Sequence, residues 1–185
     1  MNRPTFSQPA LRIWALAMGI ILVSGGGVAA ASTQQAATVS PARANLPAFS
    51  CRLPAQGRRT TAAARINAVR VGTHAGYDRF VIQFANGLPD WSVERARPPL
   101  LQDPSGKPLA VAGRSFLKIT LHGASMAGSY SGPRTFTPRY ATLTQVKNGG
   151  DFEMVTTWYA GLASAKCVRV FTLSAPNRLV IDVEH

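Results

Sequence analysis

Acidic residues are scarce in this chain. Of 185 residues only 8 are Asp or Glu, against 20 Lys and Arg, so the formal net charge of +12 comes from missing acids more than from added bases. Charged residues make up 15% of the sequence, well below the roughly 25% of a typical soluble protein. Charge this thin excludes a histone-like or ribosomal-type basic protein. Long apolar runs are missing apart from one near the N-terminus, which excludes a polytopic membrane protein. Cysteine occurs twice with no C-x-x-C pair, so zinc clusters and thioredoxin-type motifs are excluded. The three histidines, His74, His122 and His185, show neither HExxH nor another metal spacing. No G-x-S-x-G elbow precedes a helix, and Gly128–Gly132 (GSYSG) is loop composition with no helix behind it to cradle a phosphate. Neither a metal nor a cofactor is expected.

What is present begins at the N-terminus. Arg3 and Arg12 precede the apolar run Ile13–Val23, a glycine run breaks it, and Val28–Ser32 offers the small-x-small pattern of a cleavage site. Residues 1–31 therefore read as a secretory signal peptide. The alternative is an uncleaved anchor, because Ile13–Ala31 has no charge and is just long enough to span a bilayer; that anchor is the only membrane contact expected. Outside the cytoplasm the polyanions at hand are wall polymers and acidic glycans, so nucleic acid is not the expected partner of the basic charge. Export also permits Cys51 and Cys167 to pair, the alternative being two separate thiols. A bridge between them closes a loop worth about 4–5 kcal/mol in the chain-entropy model.

Residues 32–65 are rich in Ala, Gln, Thr and Pro, contain no acid, and carry Arg43, Arg52, Arg58, Arg59 and Arg65. They read as a basic flexible linker. Residues 66–185 form the domain, and short β patterns fill it. Phe80, Ile82 and Phe84 fall on one face of a strand, and Leu117, Ile119 and Leu121 alternate with polar residues; Ile66–Val71, Trp91–Arg95, Ala141–Lys147, Phe152–Tyr159, Val168–Leu173 and Arg178–Glu184 complete the set. Asp103-Pro104-Ser105-Gly106 is turn chemistry that joins 99–102 to 108–111 as a hairpin. Residues 123–139 read as a Gly/Ser loop with little to bury. The expected fold is all-β, a small β-sandwich or open barrel of about 8–9 short strands. The segment Asp78–Phe84 (DRFVIQF) echoes Asn177–Val183 (NRLVIDV), each a turn residue, an arginine and a strand.

Those two segments, VRVGTHAGYDRFVIQF (69–84) and VRVFTLSAPNRLVIDVEH (168–185), together with GDFEMVTTWYAGL (150–162), resemble the AMIN-like domain of exported bacterial proteins. The resemblance covers residues 65–185 and loosens over 98–139. It implies an all-β module of two small packed sheets, placed in the cell envelope for attachment rather than chemistry. It supplies no catalytic or ligand residues to carry over.

Candidate binding residues come from the sequence itself. Tyr77, Asp78 and Arg79 place an aromatic ring, an acid and a base at a strand start, either as a ligand edge or as a turn cap with a cross-sheet ion pair. Trp158 and Tyr159 are strand neighbours, so one faces in and one out. With Trp91, Tyr130 and Tyr140 they are candidates for stacking on sugars, core packing being the competing role. Arg134, Arg139 and Lys147 flank the Gly/Ser loop as a candidate anion-facing edge, against a plain solvated face. Asp151 and Glu153 share one strand face and read as edge charges, not a catalytic pair. The expected function is a non-catalytic, secreted module associated with the cell envelope through peptidoglycan or an attached anionic polymer. The rival readings are a protein-interaction module of an envelope assembly and a hydrolase whose site the sequence hides.

Overall fold

Alternation in the sequence sets the strands. Every even position of Tyr77–Phe84 is buried and every odd one is half-exposed, whereas Asn177–Glu184 buries every residue from Leu179 to Val183. In the computed structural model, which describes residues 46–185, there is no helix among the described residues. Their strands are β1 (Ala55–Gly57), β2 (Ala64–His74), β3 (Tyr77–Phe84), β4 (Asp90–Ala96), β5 (Ser115–His122), β6 (Ala124–Ser125), β7 (Thr135–Phe136), β8 (Leu143–Phe152), β9 (Val155–Leu162), β10 (Val168–Leu173) and β11 (Asn177–Glu184).

These eleven strands make two sheets, one in the order β1-β4-β5-β9-β8-β7 and one in the order β10-β11-β3-β2-β6. All pairings are antiparallel except β2 with β6. The fold is the expected all-β sandwich, with more strands than expected because β1, β6 and β7 are two or three residues long. Strands that short carry no periodicity to read. The echoing segments lie side by side as β3 and β11, in a register that sets Arg79 opposite Asp182.

The core fills the space between the sheets with Phe80, Ile82, Phe84, Leu179 and Ile181 from one and Val93, Leu117, Ile119, Leu121 and Trp158 from the other. Each such side chain stabilises the fold by about 1.5–3 kcal/mol through burial. The Gly/Ser loop contributes more than expected, since Ala124 and Met126 are fully buried in this core. A second, smaller cluster of Leu100, Leu109, Phe116 and Tyr159 sits outside the six-stranded sheet. It forms because the expected hairpin folds down over that face, closed by the Leu101–Pro108 bridge.

The N-terminal segment departs from the linker reading where it is described. Residues 1–45, with the expected signal peptide and Arg43, lie outside the described residues. From Leu46 on, Ser50 bridges Val168, Cys51 is disulfide-bonded to Cys167 across a sequence separation of 116, and β1 pairs with β4. Backbone pairing at a sheet edge and a covalent bond hold this stretch, and neither needs aliphatic periodicity.

Candidate functional site

The outer face of the six-stranded sheet carries a groove built by strand register. Gln56, Ser92, Thr120, Thr157 and Gly150 are successive partners across β1, β4, β5, β9 and β8. At about 4.8 Å between strands they form a polar line of roughly 19 Å running across the strands. Asp90 and His122 pair on one side of that line, and Glu94, Lys118, Tyr159 and Lys147 follow one another on the other. No apolar side chain interrupts the central line, so its floor is hydroxyl, amide and backbone.

Three cavities adjoin along this face. One of about 520 Å³ is lined by Gln56, Arg58, Asp90, Ser92 and His122. The next, about 530 Å³, shares Ser92 and His122 and adds Glu94, Lys118, Thr120 and Tyr159. The third, about 390 Å³, shares Gln102 and Asp103 with the second and adds Arg134, Lys147 and Asn148. The hairpin over residues 98–111 forms one wall. Its turn is seated on β8 by the Asp103 N–H donating to the Gly149 carbonyl at 2.7 Å. A Cβ at Gly150 would collide with the Asp103 carbonyl, so the glycine at that position is what lets the turn sit down.

The charges in the groove are of both signs. Glu94 and Lys118 stand 4.0 Å apart, and Asp90 faces Arg59 at 3.7 Å, all at the surface, where such pairs contribute little to stability. Ser92, His122 and Asp90 share the first cavity and are the residue types of a nucleophile, a base and an orienting acid. They are not assembled that way: among the described residues no side-chain hydrogen bond joins any two of them, and the Asp90 carboxylate accepts the Arg59 backbone N–H at 2.9 Å. No three of His, Cys, Asp and Glu gather into a metal-holding group among the described residues. The arrangement suits hydrogen bonding to an extended polar ligand.

The residues singled out from sequence fall in different places. Tyr159 and Arg134 belong to the groove, in its second and third cavities. Tyr159 is buried all the same, its hydroxyl donating to the Leu101 carbonyl at 3.0 Å beneath the hairpin. Trp158 faces the opposite way and is wholly in the core, with its ring centroid 6.0 Å from that of Phe80. Neighbours on the strand do face opposite ways, but both rings are covered, because the hairpin closes the outer side. Trp158 thus has no surface for a ligand to touch. Tyr130 is half-buried, its hydroxyl donates to the Pro133 carbonyl at 2.6 Å, and burial pushes its pKa up. Arg139 is exposed and lines none of the three cavities.

Tyr77, Asp78 and Arg79 lie on the other sheet. Asp78 is fully buried and accepts the backbone N–H groups of Thr142 and Leu143, each at 2.8 Å, and the Thr73 hydroxyl at 2.8 Å. His185 Nε2 is 3.0 Å from its other side. Burial pushes this carboxyl up, but the hydrogen bonds from Leu143, His185, Thr142 and Thr73 outweigh it and hold the pKa below the ordinary value. Asp78 is a strut tying β3 to the start of β8, and it offers nothing to a ligand.

Arg79 makes the cross-sheet pair. Its Nε and Nη2 donate to the two oxygens of Asp182 at 2.6 and 2.9 Å, and Arg169 Nε donates to the same carboxylate at 2.6 Å. Asp182 raises the Arg79 pKa further. Rings fill the gaps: Phe49 and Tyr77 lie 4.6 and 4.5 Å from the Arg169 guanidinium, while Tyr77 and Phe171 lie 5.2 and 5.6 Å from that of Arg79. The result is an alternating ring–guanidinium ladder around a buried carboxylate.

The groove also holds Ser92, Glu94, Asp103, Lys118, Thr120, His122 and Thr157, none of which the sequence marks as a binding residue. The signal for several of them was present, since the outward positions of β4 and β5 are polar at Ser92, Glu94, Lys118, Thr120 and His122. Their convergence depends on register between strands far apart in the chain.

A family model described as the AMIN-like domain matches residues 64–185. No curated protein gives a significant match, and no solved structure does.

Proposed function

The chain belongs to the AMIN-like domain family, and from that membership we propose that it is a non-catalytic attachment module of the cell envelope, holding a wall polymer in the groove of its six-stranded sheet. The family is envelope-associated, and the Cys51–Cys167 disulfide agrees with an oxidising, extracytoplasmic setting. The observation that carries the reading is the groove itself, a line of hydroxyl, amide and backbone groups crossing five strands and continuous through three cavities. Its length and polarity suit an extended glycan with its peptide branches better than a compact apolar ligand, which calls for a largely apolar pocket.

Sedimentation of the purified chain with isolated cell walls over a salt series tests the reading. The chain is expected in the pellet at low salt, with a salt-resistant fraction that reflects hydrogen bonds in the groove over net charge. Ser92→Tyr, which sets a ring where the first two cavities join, is expected to lower the bound fraction at least tenfold. No wall binding at low salt, or binding untouched by Ser92→Tyr, contradicts it.

A further inference from the structure

We propose that the third cavity is a zwitterion site, taking the free α-amino-carboxylate at the end of a wall peptide branch. The inference rests on the wall-polymer reading of the groove and names which part of that polymer the cavity distinguishes.

Asp103, Arg134 and Lys147 all line this cavity. None of them takes part in an ion pair within 4.0 Å among the described residues. The two cations spend one donor each on a neutral acceptor, Arg134 Nη1 on the Asn148 side-chain oxygen at 3.2 Å and Lys147 Nζ on the Ala110 carbonyl at 3.1 Å. A guanidinium carries five N–H donors and an ammonium three, so most remain for a ligand. The Asp103 carboxylate accepts no hydrogen bond among the described residues. Its fellow acids differ: Asp90, Glu94 and Asp182 are ion-paired, and Asp78 and Asp151 are hydrogen-bonded. Only Glu153 and Glu184 are similarly uncommitted among the described residues, and neither lines the groove.

The positions are fixed before any ligand arrives. Asp103 is held by its N–H to Gly149 and by the close fit of its backbone on Gly150. Arg134 is held by the Asn148 N–H donating to its carbonyl at 2.8 Å, and the pairing of Thr135 with Lys147 brings the two cations to one edge. Opposite charges that face one cavity without meeting select a ligand that carries both signs. A carboxylate alone is attracted by Arg134 and Lys147 and repelled by Asp103, and an ammonium alone meets the reverse. An α-amino-carboxylate satisfies all three.

The test uses three muramyl tripeptides whose N-terminal amine is blocked by the sugar. One ends in diaminopimelate, with a distal ammonium and carboxylate; one ends in lysine, with the distal ammonium alone; one ends in aminopimelate, with the distal carboxylate alone. Calorimetric titration of the full chain is expected to give about tenfold or greater preference for the diaminopimelate branch, the value of a charge-assisted hydrogen bond. Arg134→Gln is expected to abolish the preference over the lysine branch, and Asp103→Asn the preference over the aminopimelate branch. Both side chains are exposed, so the variants should melt as the parent does. Equal affinity for the three branches, or preference unchanged in both variants, overturns the inference. If no tripeptide binds while Ser92→Tyr still abolishes wall sedimentation, the zwitterion site falls and the groove reading stands.

Discussion

On the outer face of the five-stranded sheet, Arg79 and Arg169 close on Asp182 at 2.6 Å and rings are interleaved between them. On the outer face of the six-stranded sheet, Arg134, Lys147 and Asp103 share a cavity and meet in no ion pair among the described residues. Both faces use arginine, an aromatic ring and an aspartate. In the first, a fully buried carboxylate is satisfied by two guanidiniums, so the charges hold strands β3, β10 and β11 together and little is left for a ligand. In the second, the hairpin over residues 98–111 props the charges apart and backbone bonds hold them there. Residue type alone therefore does not separate a structural charge cluster from one with donors and acceptors left over, and the state of pairing does.

Perturbing each face separately should dissociate stability from binding. The largest effect is expected from Asp182→Ala, which leaves two guanidiniums without their carboxylate and should cost about 3–5 kcal/mol in chemical denaturation. Wall binding per folded molecule should stay at the parent value; a binding loss beyond the folded fraction would mean that the ladder also contacts ligand. Reducing the Cys51–Cys167 bridge comes next, at about 2–4 kcal/mol by melting with and without reductant. It loosens the segment that carries Phe49 while β1 stays paired with β4, so its cost should belong to the five-stranded face and leave the groove's affinity unchanged.

Asp78→Asn is smaller, about 1–3 kcal/mol at neutral pH, and it carries a pH signature. Because the folded-state pKa is held below the unfolded one, the stability from this carboxylate is complete above the ordinary carboxylate value, near pH 4, and is lost as pH falls through the folded value. Denaturation across the acid range should therefore be steep in the parent and flatter in Asp78→Asn. Smallest in stability is Ser92→Tyr, within about 0.5 kcal/mol because its site is half-exposed.

Much of the architecture was legible in the chain. Alternation in Tyr77–Phe84 and Leu117–Leu121 predicts the inward faces of β3 and β5, and the repeated turn–arginine–strand segments prove to be adjacent strands. Other features were hidden for physical reasons. The burial of Tyr159 depends on a proline-rich hairpin folding over a sheet face, a tertiary event with no local periodicity. The partner of Arg79 is Asp182, 103 residues away, and only register brings them opposite. The groove is the extreme case, since its central line takes one residue from each of five strands drawn from three separate stretches of the chain, β1, β4–β5 and β8–β9. Tyr159 and Arg134 were reached as candidates by residue type, but their common site exists only after the sheet has formed.

Side-by-side wall sedimentation of the parent, Asp182→Ala and Ser92→Tyr, each corrected for its folded fraction, separates the two faces. If the groove holds the wall, Asp182→Ala pellets like the parent, while Ser92→Tyr, folded and stable, stays in the supernatant. Parent-like pelleting of Ser92→Tyr alongside loss in Asp182→Ala would contradict the groove reading and move the binding surface to the five-stranded sheet.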